Sequence, residues 1–268
     1  MTERTARTAL VTGASSGIGL AFAHALAGRG FDVIVTARRQ VRLEALARDV
    51  TERHGIRAHV IVEDLADPHG SERLVAVLAG RGLAVDILVN NAGFGVAGRY
   101  SSTAWEQQRD FLQVMVVAVS ELTHRLLPGM VNRKWGRIVN VASLAGLLPG
   151  VAGHTLYAAS KSFVISFSES LALETAGHGI NVTASCPGFT WSEFHDVSGT
   201  REQVRKLPAF MWLGADQVAR ESVDAVMAGA RVYVPGSVNR TLARVARVLP
   251  RSLVAALMME NASRFRKM

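Results

Sequence analysis

Short apolar runs alternate with longer stretches of helical periodicity along most of the chain. The apolar runs are rich in Val and Ile and lack regular polar alternation, which is typical of strands buried on both faces of a sheet. Strands that alternate with helices predict a parallel sheet covered by helices. The sequence therefore predicts a single α/β domain over residues 1–268, with a doubly wound parallel sheet of about seven strands.

The hydrophobic pattern gives bounds for each predicted element. Strands are predicted at Thr8–Thr12, Asp32–Thr36, Ala58–Val62, Ile87–Asn90, Arg137–Val141, Asn181–Ser185 and Arg231–Val234. Helices are predicted at Ile18–Arg29, Gln40–His54, Ser71–Leu78, Thr103–Val131, His154–Ala176 and Asp216–Ala228. Residues 188–214 hold several aromatic side chains without a clear period, which indicates a loop or lid over a site.

Composition narrows the function classes. Hydrophobic residues make up 49% of the chain and charged residues 19%, which allows a sizeable core and argues against global disorder. The single cysteine, Cys186, excludes an internal disulfide and predicts a reducing, cytoplasmic location. We recognise no signal peptide and expect no apolar run of the roughly 20 residues that span a bilayer.

The formal net charge of +8 is concentrated near the C-terminus. From Arg240 onward, seven basic residues stand against one acidic residue. No aromatic residues are interleaved with them for base stacking, and the chain contains no zinc-finger or RNA-binding signature. We therefore expect no nucleic-acid partner and no metal site.

The first predicted strand leads through a glycine-rich turn into a helix. Glycines permit a tight turn and let backbone amides touch phosphate oxygens, and a helix N-terminus adds free N–H groups and partial positive charge. A plain strand–turn–helix connection is the alternative, but the first such turn of the sheet favours a dinucleotide pyrophosphate. This predicts a Rossmann-type fold whose cofactor-binding residues include Gly13, Ser15, Ser16, Gly17, Ile18 and Gly19.

The end of the second strand bears on the choice of cofactor. NAD-binding sheets usually place an acid there to bond the ribose 2′-hydroxyl. Here Thr36-Ala37 is followed by Arg38 and Arg39. A guanidinium suits a 2′-phosphate because its fork of donors matches phosphate oxygens. Arg38 therefore favours NADP(H), with an ordinary solvated arginine as the alternative.

Tyr157 and Lys161 lie four residues apart on a predicted helix, and hence on one face. The pKa of free tyrosine is about 10, too high for an efficient acid/base at neutral pH. A nearby ammonium is expected to lower that pKa towards the useful range. Ser143 follows the preceding strand and could hold a substrate oxygen. A surface helix face is the alternative for the Tyr–Lys pair.

Several motifs occur together in a fixed order. They are Thr12-Gly13-x-x-x-Gly17-Ile18-Gly19, Asn90-Asn91-Ala92-Gly93, Ser143, Tyr157-x-x-x-Lys161 and Pro187-Gly188. In this combination the chain resembles the classical short-chain dehydrogenase/reductase family from about Arg7 to Val234. The stretch Val232–Leu253, with Val234-Pro235-Gly236 and Leu249-Pro250-Arg251, more loosely resembles the ketoacyl reductase and hydroxysteroid-dehydrogenase-like branch.

The resemblance implies a catalytic set and further cofactor contacts. The catalytic residues would be Ser143, Tyr157 and Lys161, with Tyr157 as acid/base. Cofactor contacts would be Asp64 and Leu65 at the adenine, Asn91 and Gly93 along the cleft, Lys161 at the nicotinamide ribose, and Phe189 and Ser192 at the carboxamide, with Tyr157 also contacting the cofactor. The family more often has threonine at the Ser192 position. A homodimer or homotetramer is also expected.

One position departs from the family pattern. Members carry an asparagine in the middle of the long fourth helix, where it kinks the helix and anchors a water that links the lysine to solvent. Here that position is Met115, whose thioether accepts hydrogen bonds only weakly and donates none. Either proton delivery is slowed, or a neighbour such as Gln113 or a backbone carbonyl anchors the water and Met115 fills the core.

Together these residues predict an oxidoreductase that moves a hydride between NADP(H) and a carbonyl or secondary alcohol. A non-catalytic NADP(H)-binding sensor or scaffold is the alternative, and a relative acting on an imine or epoxide is another. An apolar pocket for a small hydrophobic substrate is predicted from residues that could equally serve core packing. These are Phe94, Val96, Leu147, Leu148 and Val151.

The tail, residues 236–268, contains a basic amphipathic segment. Arg240, Arg244, Arg247 and Arg251 follow a helical spacing, with Leu242, Val245 and Leu249 on another face. Pro250 is expected to start a second helix, because proline is tolerated at the first helical position. Such a segment can make a peripheral contact with an anionic membrane. Alternatively, its apolar face covers the domain or a subunit interface.

Overall fold

The computed structural model describes residues 7–96, 98–150, 155–194 and 208–256. The predicted lid and the predicted tail are therefore described only in part. Residues 195–207 of the lid and 257–268 of the tail lie outside the described residues, as does Val151 of the expected substrate pocket.

The main sheet is parallel and confirms the seven predicted strands. The strands of the described chain are β1 (Thr8–Thr12), β2 (Asp32–Ala37), β3 (Ala58–Val62), β4 (Ile87–Asn90), β5 (Gly136–Val141), β6 (Ile180–Ser185), β7 (Thr190–Trp191), β8 (Leu213–Gly214) and β9 (Val232–Tyr233). The main sheet runs β3-β2-β1-β4-β5-β6-β9, and β7 pairs with β8 separately. The strand order reverses between β1 and β4. In open parallel sheets, ligands bind outside the carboxyl ends of strands at such a reversal.

Helices pack on both faces of this Rossmann-type sheet. They are α1 (Gly17–Ala27), α2 (Gln40–His54), α3 (Gly70–Gly80), α4 (Trp105–Leu112), α5 (Ala118–Asn132), α6 (Thr155–Glu174), α7 (Ala215–Met227) and α8 (Ser237–Val248). One core cluster joins α1, α2 and α7 to the sheet, and a second joins α3, α5 and α6. Phe22 and Leu122 are fully buried in these clusters. Full burial of one such side chain contributes about 1.5–3 kcal/mol.

The predicted helix Thr103–Val131 is interrupted by one turn of π-helix at Gln113–Val117. Met115 lies in this turn and is fully buried. A Cβ added to Gly93 would lie 2.8 Å from Met115 Sδ, so the methionine fills the space beside that glycine. Single π-turns inside α-helices often occur at functional sites. Here the wide turn forms without the asparagine that the family carries at this position.

The whole helical stretch Trp105–Asn132 has the length and hydropathy of a helix that could cross a membrane. The expectation that no apolar run is long enough to span a bilayer is therefore wrong by the criteria of length and hydropathy. In the fold, the side chains of Phe111, Met115 and Leu122 on this stretch are buried, and Leu122 packs into the second core cluster. Core helices of globular domains can pass the same test of length and hydropathy.

The C-terminal segment forms two helices separated by Pro250, as predicted. Leu249 leaves the helical region with ψ 149°, because a residue before proline is disfavoured in the α conformation. Residues 251–256 are helical, and Leu253 N donates to Pro250 O at 2.9 Å. Leu242 and Val245 are exposed on α8. These two side chains therefore do not pack on the described part of the domain, and contact with a second subunit stays an alternative.

Candidate active site

The glycine-rich turn connects β1 to α1 at the reversal in strand order. Gly13 and Gly17 have φ of 66° and 55°, in the left-handed region that favours glycine. A Cβ on Gly13 would lie 2.8 Å from Ala92 Cα, and one on Gly17 would lie 2.9 Å from Ser192 Cβ. Side chains at these two positions would fill the cradle at the N-terminus of α1. The residues present therefore fit a pyrophosphate held by backbone amides.

Thr12 ties this turn to the loop after β4. Its hydroxyl donates to Val89 O at 3.2 Å and accepts from Asn91 N at 2.9 Å and Ala92 N at 3.0 Å. Asn91 Nδ2 in turn donates to Thr12 O at 2.9 Å. Asn91 is therefore held against the glycine-rich turn. The motif contains Thr12, but sequence reasoning assigned it no role in the site.

Arg38 and Asp64 meet at the carboxyl ends of β2 and β3. Their side chains form an ion pair with 3.8 Å between Arg38 Nη1 and Asp64 Oδ2, and the Arg38 side chain is 70% exposed. Leu65 follows Asp64 and is buried. The structure therefore brings together the two charged side chains predicted for the adenosine end of the cofactor, and leaves the Arg38 guanidinium accessible.

Arg39 is a site residue that sequence reasoning missed. Its Nε and Nη2 donate to Ser15 Oγ at 3.0 and 2.9 Å, and Nη2 also donates to Ser16 Oγ at 2.8 Å. The guanidinium therefore lies across the serines of the glycine-rich turn. The signal was present in the sequence, because two arginines follow β2 and two serines stand in the turn.

Glu193 connects the first residues of the predicted lid to these arginines. Its carboxylate accepts from Arg39 Nη1 at 2.8 Å and from Arg42 Nη1 at 2.5 Å. Hydrogen bonds from Arg39 and Arg42 lower the pKa of Glu193, so it stays an anion. The adjoining cleft has a volume of about 440 Å³ and is lined partly by Ser15, Ser16, Gly17, Arg42 and Glu193. An anion is thus already held at the arginine end of the cleft.

The predicted catalytic side chains meet at the carboxyl end of β5. Ser143 hydrogen-bonds Tyr157, and Ser143 Oγ also accepts from Ala145 N at 3.2 Å. Tyr157 and Lys161 lie one turn apart on α6, with Lys161 Nζ 5.8 Å from the Tyr157 ring centroid. The ammonium donates to Val141 O at 2.7 Å. Ser143, Tyr157 and Lys161 therefore form one cluster.

Burial governs the protonation of this cluster. It raises the pKa of Tyr157, although the hydrogen bond with Ser143 opposes the shift. It lowers the pKa of Lys161 to about 8. The expectation that the lysine lowers the tyrosine pKa is therefore not met, because desolvation dominates and Lys161 Nζ bonds Val141 O. Burial also raises the pKa of the Cys186 thiol to about 12, which keeps it neutral.

The lid and a small cavity adjoin Tyr157. The ring of Phe194 lies 5.6 Å from the Tyr157 ring, between centroids. The cavity, of about 30 Å³, is lined by Val96, Gly98, Tyr100, Gln108, Phe111, Thr155, Leu156 and Tyr157. Val96 lies in it as predicted, but Tyr100, Gln108 and Thr155 add polar groups that the apolar-pocket prediction missed.

The other predicted pocket and cofactor residues have separate surroundings. Phe94 packs edge-on against Phe111 at 5.8 Å, and Leu147 is exposed. Phe189 packs on Trp212 with ring centroids 5.6 Å apart, whereas Ser192 faces Gly17. The two ends of the predicted lid are joined by the β7–β8 pair.

A network of buried polar side chains connects the strands and helices around the Ser143, Tyr157 and Lys161 cluster. Asn90 Nδ2 donates to Asn140 Oδ1 at 2.8 Å and to Thr123 Oγ1 at 3.0 Å, and Asn140 Nδ2 donates to Ser168 Oγ at 2.9 Å. These bonds link β4, β5, α5 and α6 near the carboxyl edge of the sheet. Sequence reasoning missed the network, whose signal is an asparagine at the carboxyl end of β4 and another one residue before the end of β5.

Comparison with known proteins agrees with this geometry. Residues 7–203 match the family model described as short chain dehydrogenase. The putative ketoacyl reductase of Streptomyces coelicolor is 38% identical over 191 residues, which are 70% of this chain and 72% of that protein.

Two solved structures resemble almost the whole chain. The short-chain dehydrogenase from Sphingobium yanoikuyae in complex with NADPH has a TM-score of 0.79 at 28% identity, covering 98% of this chain and 96% of that one. The bulky-bulky ketone specific alcohol dehydrogenase from Comamonas testosteroni has a TM-score of 0.75 at 27% identity, covering 90% of this chain and 92% of that one. The chain therefore belongs to the short-chain dehydrogenase/reductase family of oxidoreductases.

Proposed function

We propose that this chain is an NADP(H)-dependent oxidoreductase that interconverts a carbonyl and a secondary alcohol. One observation carries the proposal. The hydrogen-bonded Ser143 and Tyr157 side chains, with Lys161 one helical turn away, lie at the same carboxyl edge of the sheet as the glycine-rich turn. A protein that only binds a dinucleotide has no need of this set.

The choice of NADP(H) rests on the residues after β2. Arg38 is accessible there and Arg39 lies across Ser15 and Ser16, so two guanidinium groups are available for a 2′-phosphate. The Sphingobium relative was solved in complex with NADPH, which supports the same assignment. When bound, the dinucleotide supplies the hydride in reduction and accepts it in oxidation.

The residues of the cluster have separate roles in this reaction. In reduction, Ser143 Oγ donates a hydrogen bond to the carbonyl oxygen and holds it beside Tyr157. Tyr157 Oη gives its proton to that oxygen as the hydride reaches the carbonyl carbon, and the product is the alcohol. A phenolate is left on Tyr157. Lys161 stabilises it and passes a proton back, and solvent then restores the lysine.

The surroundings of Tyr157 support a substrate that is mainly hydrophobic with a polar portion. Phe194 covers the tyrosine ring, while Tyr100, Gln108 and Thr155 line the adjoining cavity. The names of the relatives, a ketone-specific alcohol dehydrogenase and a ketoacyl reductase, support a ketone as the reducible group. We propose that the residues within 188–214 act as the lid over this substrate.

Exposed apolar side chains support a homodimer or homotetramer. Val117 in the π-turn and Phe163 and Leu173 on α6 are exposed, and Phe163 stacks on Phe167 with ring centroids 5.9 Å apart. Pairing two copies through these helices would bury the apolar side chains. Light scattering on the purified chain should therefore give a multiple of the monomer mass.

The test of the proposed function separates binding from turnover. NADPH fluorescence should change on binding, and NADPH should be consumed when aliphatic, steroid or acyl-thioester ketones are added. Consumption with one ketone class would support the proposal and identify the substrate class. NADPH binding without turnover of any ketone would contradict it and favour a sensor or scaffold.

A further inference from the structure

Helix α8 is fixed to the domain through a polar and small-residue face. Asn239 is buried, and a Cβ added to Gly188 would lie 2.6 Å from its Nδ2. Ala243 packs against the core cluster that includes Ala184, Cys186 and Val234. The first turns of α8 therefore lie beside the start of the lid, at the carboxyl end of β6.

Arg240 fixes the same end of the helix. Its Nη1 donates to Glu221 Oε2 at 3.0 Å, Tyr233 Oη at 2.8 Å and Val234 O at 3.0 Å. Burial would raise the pKa of Glu221, but hydrogen bonds from Gln217, Gly236, Tyr233 and Arg240 outweigh it and hold that pKa at about 2, so the ion pair persists at neutral pH. Arg240 is therefore an internal anchor and does not belong with the outward-facing arginines of the tail.

The remaining faces of α8 are apolar and basic. Val238, Leu242, Val245 and Val248 follow helical spacing and are exposed, Val245 by 50% and Val248 by 85%. Phe210, in the short helical turn Ala209–Met211 that contacts α8, and Leu253, in the helix after Pro250, are also exposed. Arg244, Arg247 and Arg251 are exposed as well. We define the α8 surface as these apolar residues and the three arginines.

Either a second copy of the chain or an anionic membrane could cover the α8 surface, and the charge of the surface favours the membrane. A second copy of the chain, related by a two-fold axis, would bring the same arginines of two helices together and repel itself. An anionic bilayer surface instead accepts arginine head groups at its phosphates and apolar side chains at its acyl boundary. The net charge of +8 adds long-range attraction to the same surface.

We propose that the α8 surface docks this protein on an anionic membrane, with the entrance to the cleft beside the bilayer. The docking rests on the α8 surface alone, so it stands whether or not the proposed reaction is correct. Because α8 adjoins Gly188 at the start of the lid, docking would bring a lipophilic substrate close to the site.

The test is co-sedimentation of the full chain with vesicles at low salt. We expect binding to phosphatidylcholine vesicles that contain phosphatidylserine, weak binding to phosphatidylcholine alone, and release as salt rises. Leu242→Asp/Val245→Asp should lower the bound fraction roughly tenfold, since it places charge at the acyl boundary. Arg244→Gln/Arg247→Gln should weaken binding to the anionic vesicles while leaving the apolar face intact.

Val41→Asp is the matched control, because Val41 is 77% exposed on α2, away from the α8 surface. It should bind vesicles as the wild type does. Absence of wild-type binding at low salt, or equal losses in the control, would overturn the proposal. A lower oligomer mass for Leu242→Asp/Val245→Asp without vesicles, and no wild-type sedimentation, would assign the surface to a second copy instead. If the aspartate variant is unfolded by circular dichroism, the arginine variant decides.

Discussion

The arginine end and the tyrosine end of the cleft lie at the same edge of the sheet but in opposite surroundings. At the arginine end, Arg38, Arg39 and Arg42 are at least partly exposed and have charged or polar partners. At the tyrosine end, Lys161 is buried and Phe194 covers Tyr157. Exposed cations can select an anionic cofactor at little desolvation cost, whereas burial shifts the pKa values of the groups that would transfer the proton.

This contrast predicts that variants at the arginine end change cofactor affinity and variants at the tyrosine end change rate or protonation. The first prediction concerns Tyr157→Phe, which removes only the hydroxyl that hydrogen-bonds Ser143. Turnover should fall by about 10²–10⁴-fold, the usual contribution of a positioned general acid. NADPH affinity should stay nearly unchanged, because the hydroxyl acts mainly in the transition state. Steady-state kinetics and NADPH fluorescence titration measure the two quantities.

Tyr100→Phe is the control for that experiment, since Tyr100 lines the same cavity. It removes a hydroxyl that only lines the substrate cavity, so its effect on turnover should be much smaller than that of Tyr157→Phe. Activity of Tyr157→Phe close to that of the wild type would show that another group carries the proton.

The second prediction concerns the buried lysine. The pKa of Lys161 is lowered from 10.5 to about 8 in the fold, so between these pH values the unfolded chain keeps a proton that the folded chain has lost. The Lys161 contribution to the free energy of unfolding should therefore rise by about 3 kcal/mol from pH 8 to pH 10.5. The measurement is denaturant unfolding of wild type and Lys161→Met across this range.

The comparison with Lys161→Met is needed because Cys186 acts in the opposite direction. Its thiol pKa is raised to about 12, so the folded chain keeps a proton that the unfolded chain loses, and stability falls above about pH 9. Burial, the main cause of that shift, is common to both proteins and cancels in the difference, whereas the weaker coulombic effect of Lys161 on Cys186 is lost in Lys161→Met and remains in the difference. A difference that is flat with pH would mean that Lys161 titrates normally.

The third prediction concerns the missed arginine. Arg39→Ala should weaken NADPH binding by about 1.5–3 kcal/mol, which is typical for lost hydrogen bonds to a charged group. Arg38→Ala should weaken it by about 1–3 kcal/mol, and neither change should much affect NADH binding. Titration of each variant with both cofactors measures this. Arg48→Ala on α2 is the control, and equal losses for NADPH and NADH would contradict the 2′-phosphate assignment.

A smaller effect is expected from Glu193, whose carboxylate bridges Arg39 and Arg42. A 2′-phosphate bound at Arg39 would compete with that carboxylate. Glu193→Gln should therefore tighten NADPH binding by roughly 2–5-fold, as expected for one partly exposed ion pair. Glu44→Gln on the same helix as Arg42 is the control. Weaker binding by Glu193→Gln would show that the bridge instead closes over the bound cofactor.

The sequence predicted the seven strands of the main sheet well because each one is a short, largely apolar run between longer helical stretches. It also predicted the meeting of Ser143, Tyr157 and Lys161, since a fixed helical spacing and a strand end define their positions. Arg39 was missed because the direction of an arginine side chain after a strand depends on its partners, here Ser15 and Ser16.

The protonation of the cluster could not be predicted in the same way. The sequence suggested that the Lys161 ammonium lowers the pKa of the Tyr157 phenol. The pKa of each group, however, depends on how far packing excludes water from it. The π-turn was also hidden, because its residues Gln113–Val117 continue a helical pattern without a break.

The last prediction, with the smallest expected effect on turnover, concerns Met115 in that turn. The wide turn is present without the family asparagine, and Met115 fills the space beside Gly93. Gln113 Nε2, in the same turn, is buried and has no hydrogen-bond partner among the described residues, so a donor is available there. These observations favour Met115 as core filler and leave the link between Lys161 and solvent to its neighbours. Met115→Asn should therefore change turnover by less than about twofold, while burying an unpaired amide should cost about 1–3 kcal/mol of stability.

Turnover of both proteins in H₂O and D₂O, with thermal unfolding, tests this. The wild type should show only a small solvent isotope effect, because reprotonation of Tyr157 is not slow if the neighbours of Met115 link Lys161 to solvent. Met115→Leu is the matched control, since it keeps the apolar volume and adds no amide. A several-fold rise in turnover for Met115→Asn alone, together with a large solvent isotope effect in the wild type, would mean that the methionine limits proton delivery. In that case, proton delivery at the tyrosine end would depend on a polar side chain that this chain lacks at position 115.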